Sequence, residues 1–94
     1  MRLASQIALI TGGSGGFGQA ICQRFIEEGS TVILADIDEE KLAELALQYR
    51  DKSNQVKCMT LDVSDFEKVE LGVNSIISEY GKIDILVNNA GYLP

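Results

Sequence analysis

The sequence predicts a doubly wound α/β fold, four parallel strands in the order 3-2-1-4 with three helices. Three observations lead to it. Short apolar runs alternate with amphipathic segments along the chain. A glycine-rich stretch, Thr11-Gly12-Gly13-Ser14-Gly15-Gly16-Phe17-Gly18, separates the first apolar run from the first amphipathic segment. An acid, Asp36, closes the second apolar run eighteen residues after Gly18.

The elements follow in order. Strands are predicted at about 6–11, 31–36, 55–61 and 83–88, and helices at about 16–28, 39–50 and 65–80. The first strand carries Ile7-Ala8-Leu9-Ile10, and the helix after it places Ala20, Ile21, Phe25 and Ile26 at helical spacing. Gly29 stands where a helix stop belongs, before the second strand, Thr31-Val32-Ile33-Leu34-Ala35. Asp38, Glu39 and Glu40 put acids in the first turn of the next helix, where the dipole favours them. Ser64-Asp65-Phe66-Glu67 reads as a capping box for the third helix. Phe66, Val69, Val73, Ile76, Ile77 and Tyr80 form its apolar stripe, with Tyr80 as a core-edge aromatic, and Gly81 ends it. The last strand contains Ile83-Asp84-Ile85-Leu86-Val87.

Short connections between strands and helices imply right-handed parallel crossovers. The first two move outward in one direction and the third reverses. Two helices therefore cover one face and a single helix the other, which leaves that face half bare and the last strand an open edge. Self-association through that face and edge is one expectation.

Ninety-four residues make one small domain, residues 1–94, with no second domain expected. A net charge of −6, spread along the helices, offers no basic patch, so neither nucleic acid nor an anionic membrane is expected as a partner. Every apolar run is strand-sized, too short for a membrane span. Met1-Arg2-Leu3 leads almost at once into the first strand, so no leader peptide is expected and the location expected is cytoplasmic. Cys22 and Cys58 read as reduced core thiols; without histidine or Cys-x-x-Cys, no zinc site is expected.

Strand, glycine turn and helix together aim unpaired N–H groups and the positive end of a helix dipole at a phosphate. A P-loop would need Lys and Ser/Thr after Gly18, but Gln19 and Ala20 stand there. Gly13-x-Gly15-x-x-Gly18 instead matches the general dinucleotide fingerprint, with Asp36 where such a fold holds the adenosine ribose.

The loop also reads Thr-Gly-x-x-x-Gly-x-Gly at Thr11, Gly12, Gly16 and Gly18. With Asp62-Val63 after the third strand and Asn88-Asn89-Ala90-Gly91 after the fourth, the chain resembles the N-terminal half of the short-chain dehydrogenase/reductase family. The resemblance covers essentially all of it. It implies a Rossmann-like fold that binds NAD or NADP and transfers hydride between nicotinamide and an alcohol or carbonyl. It puts the pyrophosphate against Gly12 to Gly18, with Ser14 and Gly15 on the adenosine side. Gly16 lies within that loop, Phe17 near the pyrophosphate, and Gly18 where the helix packs on the sheet. Asp36 would accept from the ribose diol, Ile37 would lie beside the adenine, and Asp62 with the Val63 backbone would meet its amino group. Asn88, Ala90 and Gly91 would line the ribose, with Asn89 tying strands together.

A carboxylate at Asp36 suits a free 2′-hydroxyl and repels a 2′-phosphate. Two unit charges about 4 Å apart interact by roughly 4 kcal/mol at an effective dielectric near 20, before screening. Members preferring NADP usually carry a basic residue in the loop or after the second strand; here those places hold Gly15, Ile37 and Asp38. NAD is therefore expected over NADP.

The family's Tyr-x-x-x-Lys pair does not occur in these residues. Tyr49 has a lysine at Lys52, one position short, and Tyr80 is followed by Lys82 and Asp84. The 94-residue chain alone is expected to be inactive, the cofactor-binding half of an NAD-dependent oxidoreductase. Three alternatives stand beside this: a stand-alone nucleotide-binding module, a self-associating fragment, and a methyltransferase, in which Asn88-Asn89-Ala90-Gly91 would have no place.

Overall fold

Residues 6–12 and 16–88 are described by a computed structural model. Four strands, β1 (Ile7–Thr11), β2 (Thr31–Asp36), β3 (Val56–Thr60) and β4 (Ile85–Asn88), pair in parallel in the order β3-β2-β1-β4. Helices α1 (Gly16–Glu27), α2 (Glu39–Gln48) and α3 (Phe66–Tyr80) supply the crossovers. Strand order and element types match the sequence reading. The second helix is shorter than expected, because a 3-10 turn at Arg50–Lys52 follows it.

The period-2 alternation of the strands sorts their side chains to two faces. Ala8, Ile10, Val32, Leu34 and Val56 meet Cys22 and Ile26 of α1 and Leu42, Leu45 and Tyr49 at α2. Ile7, Leu9, Ile33, Ala35 and Leu61 point the other way and pack against Ile76 of α3. Each apolar side chain fully withdrawn from water contributes about 1.5–3 kcal/mol, so the face carrying two helices holds the larger share of the stability. The opposite face is thinner, since Ile76 is the one buried residue of α3.

Two details of α3 depart from the sequence reading. Asp65, not Ser64, caps α3: its carboxylate accepts from the Lys68 N–H at 3.3 Å. Ser64 is drawn instead to Asp62, whose Oδ1 accepts from the serine N–H at 2.9 Å and its hydroxyl at 2.6 Å. The apolar stripe of α3 is also only partly covered. Val69, Val73 and Tyr80 are half-buried, whereas Phe66 is 79% exposed and Ile77 43%. Those two lie roughly three turns apart on one edge of the stripe, the edge the sheet does not reach.

Gly81 ends α3 at φ +85°, the left-handed conformation in which a side chain is strained, and its N–H donates to the Ile77 carbonyl at 2.7 Å. β4 then starts two residues later than expected. Asp84 occupies the place of a ladder residue, but it accepts the Ile7 N–H with its side-chain Oδ2, at 2.8 Å, rather than with its carbonyl. No helix among the described residues is long and apolar enough to cross a membrane.

Candidate nucleotide-binding cleft

The carboxyl ends of β1, β2 and β3 lie side by side because the strands are in register, Thr11 with Ala35 and Asp36 with Thr60. At that end the chain leaves β1 through Gly12, whose φ of +69° turns it sharply where a Cβ would be strained. β2 ends in Asp36 and β3 runs on to Leu61 and Asp62. Between them lies a cleft of about 240 Å³, lined by Gly12, Asp36, Ile37, Leu61, Asp62 and Val63.

Both cleft acids are held locally. Asp36 Oδ1 accepts the Asp38 N–H at 3.1 Å, and its carbonyl accepts from Leu61 N–H at 2.8 Å, extending the β2–β3 ladder past its last strand residue. Asp38 in turn caps α2 by accepting from Lys41 N–H at 3.1 Å. The two Ser64 bonds to Asp62, the side-chain one above all, hold that carboxyl below the usual range. Among the described residues, no lysine or arginine lines the cleft. It is an acidic, acceptor-rich mouth.

α1 starts four residues after Gly12. Gly16 and Phe17 are exposed, and Gly18 is buried. A Cβ added at Gly16 would meet nothing within 4 Å, so this helix turn faces open space that a ligand group can fill. On the far side of β1, the buried Thr11 hydroxyl donates to Asn88 Oδ1 at 3.1 Å and lies 3.4 Å from the Val87 carbonyl. This bond clasps the ends of β1 and β4, which are register partners at those residues.

The structure thus brings Gly12, Asp36, Ile37, Asp62 and Val63 round one cleft, with Gly16, Phe17 and Gly18 at the neighbouring helix start and Asn88 one strand away. Ser14, Gly15, Ala90 and Gly91 lie outside the described residues, as do Gly13 and Asn89. Two residues were not picked from sequence. Leu61 is an ordinary apolar strand residue in sequence but lines the cleft, and Thr11 proves to be the β1–β4 clasp. The signal for Leu61 was its place directly before Asp62; for Thr11 there was none beyond its position in the loop motif. No cluster of three or more His, Cys, Asp or Glu among the described residues is arranged to hold a metal ion.

A parallel sheet in this order, with a glycine turn and an acid facing each other at its carboxyl edge, defines a Rossmann-like nucleotide-binding fold. The chain belongs to the short chain dehydrogenase family, whose sequence model matches residues 6–94. It is 41% identical to the 3beta-hydroxysteroid dehydrogenase 2 of Eggerthella lenta over 97% of its own length and 35% of that protein's. Its structure superposes on NAD+-bound xylitol dehydrogenase with a TM-score of 0.89 and 35% identity, over 98% of this chain and 35% of that one. The C-domain of a bacterial malonyl-CoA reductase, solved with NADP, superposes at 0.85 with 29% identity, over 97% of this chain and 15% of that one. The chain therefore spans about a third of the length of the first two proteins.

Proposed function

We propose that residues 1–94 form the N-terminal cofactor-binding portion of a short-chain oxidoreductase, and that the cofactor is NAD in preference to NADP. The observation that carries this reading is the cleft joining Gly12 to Asp36 and Asp62, with no basic side chain in its wall among the described residues. The start of α1 suits a pyrophosphate, because a helix N-terminus presents a positive end and the space at Gly16 is open, while the turn at Gly12 brings the chain to it. Asp36 accepts from the ribose diol, Ile37 packs on the adenine, and Asp62 with the Val63 backbone accepts from its amino group. The clasp to Thr11 engages Asn88 through its carbonyl oxygen, which leaves the amide hydrogens to face the ribose. Ser14, Gly15, Ala90 and Gly91 complete the site. The chemistry the bound dinucleotide supplies is hydride transfer to a carbonyl or from an alcohol in the whole protein.

Titrating the chain with NADH and NADPH, followed by nicotinamide fluorescence, tests this. A preference for NADH of at least about tenfold, or 1.4 kcal/mol, is expected. Equal affinity for both cofactors overturns the preference, and no binding of either overturns the site.

A second reading is self-association through β4 and the α3 face. It is favoured by Leu86, 64% exposed on the open edge, and by an adjoining apolar groove of about 310 Å³ whose walls include Leu9, Val73 and Ile83. Equilibrium sedimentation discriminates, since a monomer at high micromolar concentration removes it.

A further inference from the structure

Resting on the reading of the cleft as the adenosine site, we propose that the cleft opens past the adenine into a second groove. The protein then accepts nicotinamide dinucleotides that carry one substituent on the adenine 6-amino nitrogen. The second groove is the larger of the two, about 530 Å³ against 240 Å³. It runs between the outer end of β3 and the first turns of α3. Ile37, Leu61 and Asp62 line both spaces, so the two adjoin at these three residues.

Asp62 limits what the adenine amino group can carry. Both bonds from Ser64 fall on Oδ1, and Oδ2 accepts no hydrogen bond from the described residues. One acceptor is thus presented to an adenine amino group that has two N–H donors. A single substituent replaces the second hydrogen and keeps the first for Asp62. Two substituents remove the donor altogether, leaving the carboxylate opposite an apolar group with the charged hydrogen bond lost.

Beyond Asp62 the groove suits an alkyl chain with a polar end. Met59 and Leu71 supply apolar surface, while Glu39 and Lys68 stand at its margin. An aminohexyl group lays its methylenes on the first pair and brings its ammonium to Glu39. Ser75, exposed and lining only the larger groove, can be enlarged without touching the cleft.

The test compares NADH, N6-(6-aminohexyl)-NADH and N6,N6-dimethyl-NADH in fluorescence titrations of the chain and of its Ser75→Trp variant. The aminohexyl compound is expected to bind within about threefold of NADH, and the dimethyl compound at least about tenfold more weakly. Ser75→Trp is expected to weaken the aminohexyl compound about fivefold or more while leaving NADH unchanged. An aminohexyl compound bound about tenfold more weakly than NADH overturns the proposal, as does a Ser75→Trp variant that treats both alike. A dimethyl compound that matches NADH overturns the assigned role of Asp62. Failure of NADH itself to bind overturns the cleft reading beneath the proposal, and is distinguishable from these results.

Discussion

Asp84 holds the main chain of Ile7 twice: its carboxylate Oδ2 accepts the Ile7 N–H at 2.8 Å, and its own N–H donates to the Ile7 carbonyl at 2.8 Å. A side chain replaces a carbonyl at the first rung between β1 and β4. Lys82 steadies the carboxylate from 3.1 Å. The Ile7 N–H is the largest influence holding this carboxyl below the usual aspartate range, with Lys82 adding to it.

The sign of the pH effect follows. The folded state prefers the ionised carboxyl more than the unfolded chain does, so its contribution is present above the unfolded pKa and fades as pH falls through the depressed folded value. Asp84→Ala is expected to lower the urea midpoint at pH 7 and to flatten the loss of stability in the acid range. Urea melts at intervals from pH 7 to pH 3 check both. An unchanged acid slope would show that this rung does not couple to folding.

Asp36→Ala removes the acceptor proposed for the ribose diol. NADH affinity is expected to fall by about tenfold to a hundredfold, the range of one hydrogen bond to a charged group. NADPH affinity should fall less or rise, because a repelling carboxylate is lost at the same time. The two titrations together separate these effects. An equal loss for both cofactors would place Asp36 in structural support only.

Ile76 is the buried anchor of α3 on the thinner face. Ile76→Ala is expected to cost about 2–5 kcal/mol, as for other large-to-small core substitutions. Ile77→Ala, on the uncovered edge of the same helix, should change stability far less. Chemical denaturation of both variants gives the contrast. Similar losses in the two would mean that α3 packs with a different face.

Cys22 lies wholly buried between α1 and the sheet, and burial pushes its thiol up to about 11 although Tyr49 pulls in the opposite direction. The thiolate is the reactive form, so native Cys22 is expected to alkylate at pH 8 at least about tenfold more slowly than in denaturant. A raised folded pKa also means that the unfolded thiol ionises first, so stability declines as pH climbs from the unfolded value toward the folded one. Iodoacetamide labelling followed by peptide mass spectrometry reads the first effect. Rapid native labelling at Cys22 would contradict its packing.

The glycine turn, Asp36 and Asp62 were legible in sequence because each sits at the end of an apolar strand run, and strand ends in a parallel sheet converge on one edge. Strand order was legible because right-handed crossovers leave few arrangements. The Asp84 rung was not, since a side chain meets a main-chain group 77 positions away with no local pattern to mark it. The cap of α3 was misassigned because Ser64 and Asp65 are both good capping residues. The choice between them was made by Asp62, which engages the serine first. Phe66 and Ile77 show a further limit: periodicity reveals which side of a helix is apolar, but not how much of that side a sheet is wide enough to cover.

β1 is flanked on one side by β2, which arrives after a single helix, and on the other by β4, which lies three crossovers along the chain. During synthesis, β1 to β3 can assemble by successive nearest-neighbour steps while the second flank of β1 stands vacant. Closing that flank carries the entropic penalty of the longest loop in the sheet and should come last. A nascent chain stalled before Asp84 emerges would then display an unfilled strand slot, the species a chaperone would be most apt to capture.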